Sequence, residues 1–522
     1  MPRLPHGTEI TPGAVRTARN SVAARAADVP LGFALTKPVD TRSFDFLFPE
    51  LQDDPENLLP VARKTRDDLV ALGQAMSSVA GGDADFSAAY TYLGQFVDHD
   101  ITLETSSATG SQLVDPDLRP LPLARIRQET QNLRTGGLDL DSVYGLPAPR
   151  DGEKMRVGGV SEIGGRPPGK DDDNDLPREG RSVDVVHDRA ALTGDPRNDE
   201  NLIIAQLHLA FLRAHNELVD QGNSFRKARR LLRQHYQHIV LHDFLKKRVA
   251  DEQIVQDTIE NGNRLYDPAD EDFFMPLEFS VAGYRFGHSL VRGNYDFNLN
   301  FNRSGQPGTT PATLDLLFTF TALSGGLGFG PGTDTLPENW IIEWENFFPG
   351  GQFFNRARRI DTKLVEPLDH LRIVTGQEEG GLAARLAVRN LLRGYLLRMP
   401  TGQAVARALR KKLQGVRDVP VLTRQQVREG AASEAQVGVL EGAGFLERTP
   451  LWYYVLAEAA ALGGGQSLGP VGSTIVAEVL VGLVRRSENS ILRSPAWTPT
   501  LPSEQAGTFT LPDLLRFAGV LT

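Results

Sequence analysis

Four side chains that can take part in catalysis or metal binding stand close together in residues 90–104, which read YTYLGQFVDHDITLE. They are Gln95, Asp98, His99 and Asp100, and the positions around them are mostly aromatic or aliphatic. If the segment is helical, Gln95 and His99 lie on one face with Asp98 beside them, while Asp100 points elsewhere. One face can then serve a cavity and Asp100 a second site. The residues alone also allow half of a divalent-metal site.

Arg197 and Glu200 stand just ahead of a second predicted helix. The segment from Gly194 reads GDPRNDENLIIAQLHLAFLRAHNEL, in which apolar residues recur at helical spacing. Residues 195–199 are expected to supply its N-terminal cap. An arginine beside an acidic residue at a helix start is usually a surface ion pair, so the spacing alone assigns no role.

A further histidine, His288, lies in the apolar segment SVAGYRFGHSLVRGNYDF. Gly287 leaves room beside it, and Arg285 precedes it by three residues. Farther along, LAVRNLLRGYLLRM places Asn390 and Arg393 on one face of a predicted helix. A lone histidine on an apolar face is more often a core residue than a ligand, so these residues by themselves leave both interpretations open.

An acidic loop, TGGLDLDSVYG at residues 135–145, alternates Asp139 and Asp141 with apolar positions and adds Thr135 as an oxygen donor. Such oxygen atoms suit a hard cation, which takes six to eight oxygen ligands. The spacing is not that of an EF-hand, because the terminal Glu is missing. A solvated acidic turn is the alternative interpretation.

Taken together, these segments resemble the animal-type haem peroxidases of the peroxidase–cyclooxygenase superfamily. The resemblance implies that Gln95 and His99 face a peroxide over the haem iron, with Arg197 as the catalytic cation. It also implies that His288 is the axial ligand of the iron.

The same resemblance assigns the remaining polar residues of these segments. The haem, derived from haem b, would be ester-linked through Asp98 and Glu200, and Asn201 stands where some members form a third link, which is therefore expected to be absent. Asn390 would accept the other imidazole N–H of the axial histidine. Arg285 and Arg393 would contact the cofactor, Arg393 at a propionate. The implied calcium ligands are Asp100, Thr135, the carbonyl of Gly137, Asp139 and Asp141.

Composition and motifs outside these segments bound the fold and the location. The resemblance implies a mainly α, single-domain helical haem peroxidase fold over residues 46–522, with residues 1–45 as an N-terminal extension. A net charge of −10 argues against nucleic-acid binding, and the chain contains no cysteine, unlike the secreted, disulfide-bonded mammalian members of the family. No signal peptide and no membrane span are recognisable, which indicates a soluble, cytoplasmic protein or one exported by an unrecognised route.

Several elements away from the site are also predicted. Residues 44–51, FDFLFPEL, resemble the family's aromatic entry segment, and residues 61–76 form an amphipathic helix. Residues 150–185 read as a surface loop, within which GGRPPGKD lacks the Ser or Thr of a phosphate-binding loop. His238 and His242 have the spacing of a metal pair but lack a zincin glutamate, so core or surface histidines are expected.

The predicted activity is reduction of hydrogen peroxide with oxidation of halide, thiocyanate or small phenolic donors. A fatty-acid dioxygenase of the same superfamily is an alternative, but it needs a tyrosine three residues before His288, where this chain has Arg285. A divalent-metal hydrolase built on Asp98, His99 and Asp139 is a second alternative. A non-catalytic haem-binding protein is a third, although binding alone would require only His288.

Overall fold

Helices form most of the fold, and the chain between them runs in short strands and turns. A computed structural model describes residues 42–78, 81–103, 110–113, 115–132, 134–145, 148–160, 174–180, 189–268, 273–319, 321, 335–371 and 381–522. The predicted mainly α class is therefore confirmed. No helix among these residues is both long and apolar enough to cross a membrane.

The α-helices are short to medium in length and follow one another through the chain. They are α1 Arg63–Ala75, α2 Ala89–Ile101, α3 Gly110–Leu113, α4 Leu123–Glu129, α5 Asp141–Tyr144, α6 Leu202–Asp220, α7 Phe225–His238, α8 Glu252–Asn261, α9 Leu314–Thr319, α10 Leu386–Leu396, α11 Gly402–Lys412, α12 Arg424–Glu429, α13 Glu434–Ala443, α14 Leu451–Gly463, α15 Pro470–Arg486 and α16 Leu511–Phe517. Two π-helical segments interrupt this series, Ile239–Val249 and Glu278–Ala282. The 3-10 helices are Pro49–Gln52, Pro55–Asn57, Pro196–Asp199, Gly283–Leu290, Glu338–Trp340, Trp344–Phe347, Glu366–Asp369 and Leu382–Ala384.

The strands are only two to five residues long and pair in small sheets. They are β1 Arg42–Asp45, β2 Ser77–Ser78, β3 Asp83–Ser87, β4 Gln131–Asn132, β5 Arg150–Asp151, β6 Lys154–Met155, β7 Met275–Pro276, β8 Asn294–Tyr295, β9 Ala312–Thr313, β10 Arg356–Arg358 and β11 Leu364–Val365. One sheet has three strands in the order β4-β1-β7, and the others are pairs.

The helix that carries Gln95 and His99, α2, is fixed by aromatic packing. Phe96 on α2 stacks on Phe211 of α6, with ring centroids 4.6 Å apart and planes 6° apart. Tyr236 of α7 meets both rings edge-on. All three side chains are fully buried, so α2, α6 and α7 share one core and their relative positions are set there.

Helices α1 and α10 touch backbone to backbone at a glycine. A Cβ on Gly73 of α1 would stand 2.8 Å from the Cα of Val388 on α10. Helix axes come this close only where one partner lacks a side chain. The predicted helix over residues 61–76 is confirmed as α1, and its contact with α10 sets the depth at which α10 lies.

Residues 42–45, which the sequence placed in the N-terminal extension, form a strand of the folded body. β1 pairs with β4 in antiparallel and with β7 in parallel register. The aromatic segment that follows is buried, and Glu278 accepts hydrogen bonds from the backbone N–H groups of Leu47 (2.7 Å) and Phe48 (3.1 Å). The segment is thereby tied to the π-helix just before His288. Residues 1–41 lie outside the described residues.

The expectation of a surface loop over residues 150–185 is wrong for part of that range. The guanidinium of Arg178 lies between Asp175 (2.7 Å) and Asp199 (2.8 Å), and all three side chains are buried. Leu336 N donates to Asp175 at 2.9 Å, so this ion cluster joins three distant parts of the chain. The two carboxylates raise the pKa of Arg178 against the lowering effect of burial. The GGRPPGKD motif lies outside the described residues.

Buried Glu458 on α14 should make the stability of the fold depend on pH. Its carboxyl accepts hydrogen bonds from Val471 N (3.0 Å) and Gly472 N (3.3 Å) at the start of α15, and burial raises its pKa from 4.5 to about 8. Between these values the unfolded chain binds fewer protons than the folded chain, so stability falls as the pH rises.

Glutamine cannot ionise. We therefore expect the free energy of unfolding of Glu458→Gln to increase relative to that of the unmodified chain as the pH rises from about 5 to about 8. Urea unfolding across that range measures the difference. Parallel pH profiles for the two proteins would contradict it.

Candidate active site

Gln95, on the face of α2 predicted to serve a cavity, meets the segment that precedes α6. Gln95 Nε2 donates a hydrogen bond to the carboxylate of Glu200, and Gln95 Oε1 accepts one from Asn201 Nδ2 at 3.3 Å. Glu200 is buried, although the two residues are far apart in sequence. Gln95 and Glu200 therefore belong to one site. The side chain of Asn201 also accepts from Ile204 N and caps α6, a role that the sequence gave to residues 195–199.

His99 lies one helical turn beyond Gln95, and its ring contacts Asn198, which in turn contacts His208. Its Nδ1 is 2.8 Å from Asn198 Oδ1, and Asn198 Nδ2 is 2.8 Å from Nδ1 of His208 on α6. All three side chains are buried. Sequence analysis missed Asn198, because an asparagine in a polar turn carries no signal of its own. Its place next to Arg197 was the only available indication.

The guanidinium of Arg197 is held by protein groups, whereas the sequence predicted that it faces a bound peroxide. It forms a salt bridge with Asp195, with Nη2 and Oδ2 2.7 Å apart, and donates to the carbonyls of Thr102 (2.5 Å) and His99 (3.3 Å). Burial alone would raise the pKa of Asp195, but Arg197 and Arg134 together lower it well below its usual range. The positive charge of Arg197 thus lies beside the backbone of His99, paired with a fully ionised carboxylate.

Asp98 lies on α2 between the Gln95 face and the C-terminal end of the helix. Its Oδ1 accepts a hydrogen bond from Thr102 Oγ1 at 2.9 Å. Asp98 and Glu200 both raise the pKa of Arg197, because their negative charges stabilise the guanidinium. The two carboxylates predicted to be ester sites therefore lie within electrostatic range of one arginine.

His288 lies in the 3-10 helix Gly283–Leu290. Its Nδ1 is 2.8 Å from Nδ2 of Asn390 on α10, so the predicted pair is in contact. The amide is oriented opposite to the prediction, however: Arg285 Nη1 donates to Asn390 Oδ1 at 3.0 Å, and the amide nitrogen faces the imidazole. The reason is that arginine only donates, so it takes the one acceptor that the amide offers.

The space beside His288 is open, as the sequence suggested. Apart from its chain neighbours Phe286 and His288, no described residue has a heavy atom within 4 Å of the position that a Cβ on Gly287 would occupy. His288 itself is 8% exposed. The imidazole is thus held by Asn390 on one side while its glycine neighbour leaves a gap.

Two further arginines stand near His288 on α10. Arg393, one turn after Asn390, is buried, and burial lowers its pKa to about 10. Burial and the charge of Arg285 lower the pKa of Arg389 to about 10 as well. Arg285 and Arg389 are half-buried, and the effect of Arg285 on the pKa of Arg389 shows that these two cations lie within electrostatic range of each other.

The His99 and His288 segments are joined by a hydrogen bond. The hydroxyl of Tyr284, in the 3-10 helix of His288, donates to the carbonyl of Gly94 on α2 at 3.1 Å. Gly94 is the residue before Gln95. The two segments, almost two hundred residues apart in sequence, are therefore in contact.

The acidic loop before α5 lies against the opposite face of α2. Asp100 is buried there and accepts hydrogen bonds from Leu140 N (3.1 Å) and Ser142 N (3.4 Å). Burial, followed by the charge of Asp141, raises the pKa of Asp100 to about 8, and burial raises that of Asp139 to about 6. Asp100 and the acidic loop are therefore in contact, and the cation site predicted there stays a prediction.

The described residues contain no group of three or more histidine or acidic side chains arranged to hold a metal ion. His238 and His242 lie with ring centroids 4.5 Å apart and burial lowers the pKa of both, which fits core histidines.

Comparison with known proteins gives one family and two similar folds. Residues 118–322 match the family model for animal haem peroxidase. A peroxidase-like protein of Margaritifera margaritifera is 29% identical over 319 residues, 48% of this chain and 38% of the relative. Chorion peroxidase of Aedes aegypti is 30% identical over 118 residues, 20% of this chain and 15% of the relative. The chain thus spans less than half the length of either curated relative.

The solved structures resemble this chain in fold. Peroxidase A from Dictyostelium discoideum has a TM-score of 0.55 at 16% identity, covering 87% of this chain and 89% of that protein. Fatty acid alpha-dioxygenase from Oryza sativa has a TM-score of 0.50 at 14% identity, covering 88% and 80%. At such identities these matches establish the architecture alone.

Proposed function

We propose that the chain is a member of the animal haem peroxidase family, whose model matches residues 118–322, and that it binds haem between His99 and His288 and reduces hydrogen peroxide. One observation carries this proposal. The Tyr284–Gly94 hydrogen bond brings the segments of the two histidines together, as a cofactor enclosed between them requires.

The residues near His288 fit a haem in most respects. His288 would ligate the iron through Nε2, Gly287 would leave room for the macrocycle, and Arg285 and Arg393 would contact the propionates. The disagreement is the Asn390 amide, because an amide nitrogen facing Nδ1 places the imidazole hydrogen on Nε2. A propionate that took over Arg285 would release Asn390 Oδ1, and the amide could then turn to accept from Nδ1.

The bound haem would supply the iron at which the O–O bond of the peroxide is broken. His99, in its neutral form, would accept the proton of the peroxide and return it to the leaving oxygen. Arg197 would stabilise negative charge through its field. Gln95 would orient water or an anion beside them. The expected donors are halide, thiocyanate or small phenols.

The proposal is tested by supplying haem to the purified full-length protein. We expect a Soret band and peroxide-dependent oxidation of iodide, thiocyanate or guaiacol. Oxygen uptake with a fatty acid but no oxidation of these donors would indicate the dioxygenase alternative, although Arg285 stands at the position of its tyrosine. Failure to bind haem at all would overturn the proposal.

Ester links from Asp98 and Glu200 to the haem are a further part of the proposal. Both carboxylates lie beside Arg197, and an ester removes the cost of holding a carboxylate against an apolar ring edge. We expect peroxide-treated protein to retain its haem in acidified organic solvent, and the double variant Asp98→Val, Glu200→Gln to release it.

Glu217→Gln, an exposed acid on α6, is the matched control and should retain haem like the unmodified protein. Release of haem from the unmodified, peroxide-treated protein would remove the ester proposal.

We propose in addition that Asp100, Thr135, Gly137, Asp139 and Asp141 bind calcium. The support is chemical: Asp139 and Asp141 both raise the pKa of buried Asp100, so three carboxylates repel one another at close range. Asp139 Oδ1 and Ser142 Oγ are buried without a hydrogen-bond partner among the described residues. A cation would offset this repulsion, after the carboxylates had moved closer than the structure has them.

Removing the metal should therefore destabilise the protein. We expect chelation by EGTA to lower the unfolding temperature by about 5 °C, and added calcium to restore it. Asp139→Asn should show a smaller response to calcium. The calcium site would be contradicted if the unfolding temperature were the same with and without EGTA and elemental analysis of the purified protein found no calcium.

A further inference from the structure

The geometry points to a positioning role for Asn198 and His208, which no motif assigns: we infer that they hold His99 as the tautomer with its hydrogen on Nδ1. The inference rests on the proposed function, in which Nε2 of His99 accepts a proton from peroxide. It adds two residues whose task is to keep that nitrogen in the accepting form.

The hydrogen-bond inventory of the three residues fixes the direction of each contact. An amide oxygen only accepts, so His99 Nδ1, 2.8 Å from Asn198 Oδ1, must carry a hydrogen. An amide nitrogen only donates, so Nδ1 of His208, 2.8 Å from Asn198 Nδ2, must accept. The hydrogen of His208 then lies on its Nε2, and that of neutral His99 cannot lie on Nε2.

His208 can act as this acceptor because it stays neutral. Burial lowers its pKa to about 3, although the nearby charge of Asp195 opposes that effect. The negative charge of Asp195 is offset by its salt bridges with Arg197 and Arg134. A doubly protonated His208 would present a donor to the Asn198 amide nitrogen and favour turning the amide over. A neutral His208 with its hydrogen on Nε2 presents an acceptor at Nδ1 to the amide nitrogen, which keeps the amide oxygen directed at His99.

Packing keeps the three groups in place. Asn198 N donates to Asp195 O at 3.0 Å within the turn that also carries Arg197. Phe96, on the same helix as His99, meets the His208 ring edge-on with centroids 6.1 Å apart. Helices α2 and α6 are thus fixed relative to each other at the same point where the hydrogen bonds run.

The tautomer of His99 determines whether Nε2 can accept the proton of the peroxide. Peroxide transfers its proton to Nε2 of His99. The ring becomes imidazolium, and its Nδ1–H stays hydrogen-bonded to Asn198 Oδ1. Nε2 then returns the same proton to the leaving oxygen, and His99 is again the Nδ1–H tautomer. If the hydrogen started on Nε2, His99 could not accept the peroxide proton there.

The test compares His208→Phe and Asn198→Leu, which remove the acceptor for the amide and the amide itself, with His215→Phe. His215 is a buried histidine two turns farther along α6 that contacts Tyr144 (3.0 Å) instead of the site, so it controls for the loss of a packed imidazole. The full-length proteins carry ¹⁵N-labelled histidine and are studied with haem, reduced and bound to carbon monoxide, which makes them diamagnetic. Long-range ¹H–¹⁵N spectra then assign the tautomer of each histidine.

We expect His99 as the Nδ1–H tautomer in the unmodified protein and in His215→Phe, and a mixture of tautomers in the other two variants. Their rate constants for reaction with peroxide should fall by about 10- to 100-fold with haem retained. His208→Gln, whose side-chain oxygen can accept from the Asn198 amide, should recover part of the Nδ1–H population of His99 and part of the rate constant.

An Nε2–H tautomer in the unmodified protein, or one unaffected by His208→Phe and Asn198→Leu, would overturn the inference. If the protein binds no haem, the proposed function fails, and spectra of the haem-free full-length chain still decide the tautomer. The two failures are therefore distinguishable.

Discussion

Replacing His99 with alanine is expected to lower the rate constant for reaction with hydrogen peroxide by about two to four orders of magnitude. The imidazole is the buried base whose Nδ1 is fixed by Asn198, and alanine leaves nothing at that position to accept the peroxide proton. Stopped-flow measurement of the haem spectrum after mixing with peroxide gives the rate constant directly.

The control for this variant is His215→Ala, which removes a buried imidazole from α6 away from the site. Both variants should retain the Soret band and the haem content of the unmodified protein. A His99→Ala rate constant close to that of His215→Ala would mean that another group handles the proton.

The largest stability effect is expected at Arg178. Arg178→Met leaves Asp175 and Asp199 buried without their cation, which costs about 3–5 kcal/mol. Because Asp199 is the neighbour of Glu200, haem retention should fall as well. Urea unfolding followed by circular dichroism measures the loss of stability.

The matched control is Arg156→Met. Arg156 and its partner Asp151 are 2.8 Å apart but largely exposed, and removal of such a pair changes stability by about 1 kcal/mol or less. Equal losses in the two variants would show that burial of the Arg178 cluster contributes nothing beyond a surface ion pair.

The sequence sufficed for those parts of the site that depend on local spacing. Gln95 and His99 fall one turn apart, so a helix over these residues must present both on neighbouring positions of one face, and α2 does so. The apolar stripe after residue 200 likewise predicted α6, and the amphipathic pattern after residue 61 predicted α1. The spacing of residues along one helix is determined by the local sequence and can be predicted without knowledge of the rest of the fold.

Side-chain directions that depend on distant partners could not be predicted. Arg197 is drawn to Asp195, which is also bound by Arg134 from another part of the chain. The Asn390 amide turns its oxygen to Arg285, more than a hundred residues earlier. Nothing in the local sequence specifies these partners, so the prediction identified the residues but not what their polar atoms contact.

The burial of residues 174–178 was missed for the same reason. Charge and proline density predicted solvent exposure, and the ion cluster that buries Arg178 forms only when residue 199 and residue 336 arrive from elsewhere. The composition of a segment indicates only its average exposure. It does not show that one charged residue in the segment forms ion pairs with buried residues from other parts of the chain.

The contact between Gly73 and Val388 makes a remote position part of the His288 environment. Any side chain at residue 73 would displace the backbone of α10, on which Asn390 and Arg393 lie within two turns of Val388. A search for inactive variants by random mutagenesis should therefore recover position 73 among residues with no polar chemistry. Second-site revertants of such a variant are to be sought along α10 rather than near His288 itself.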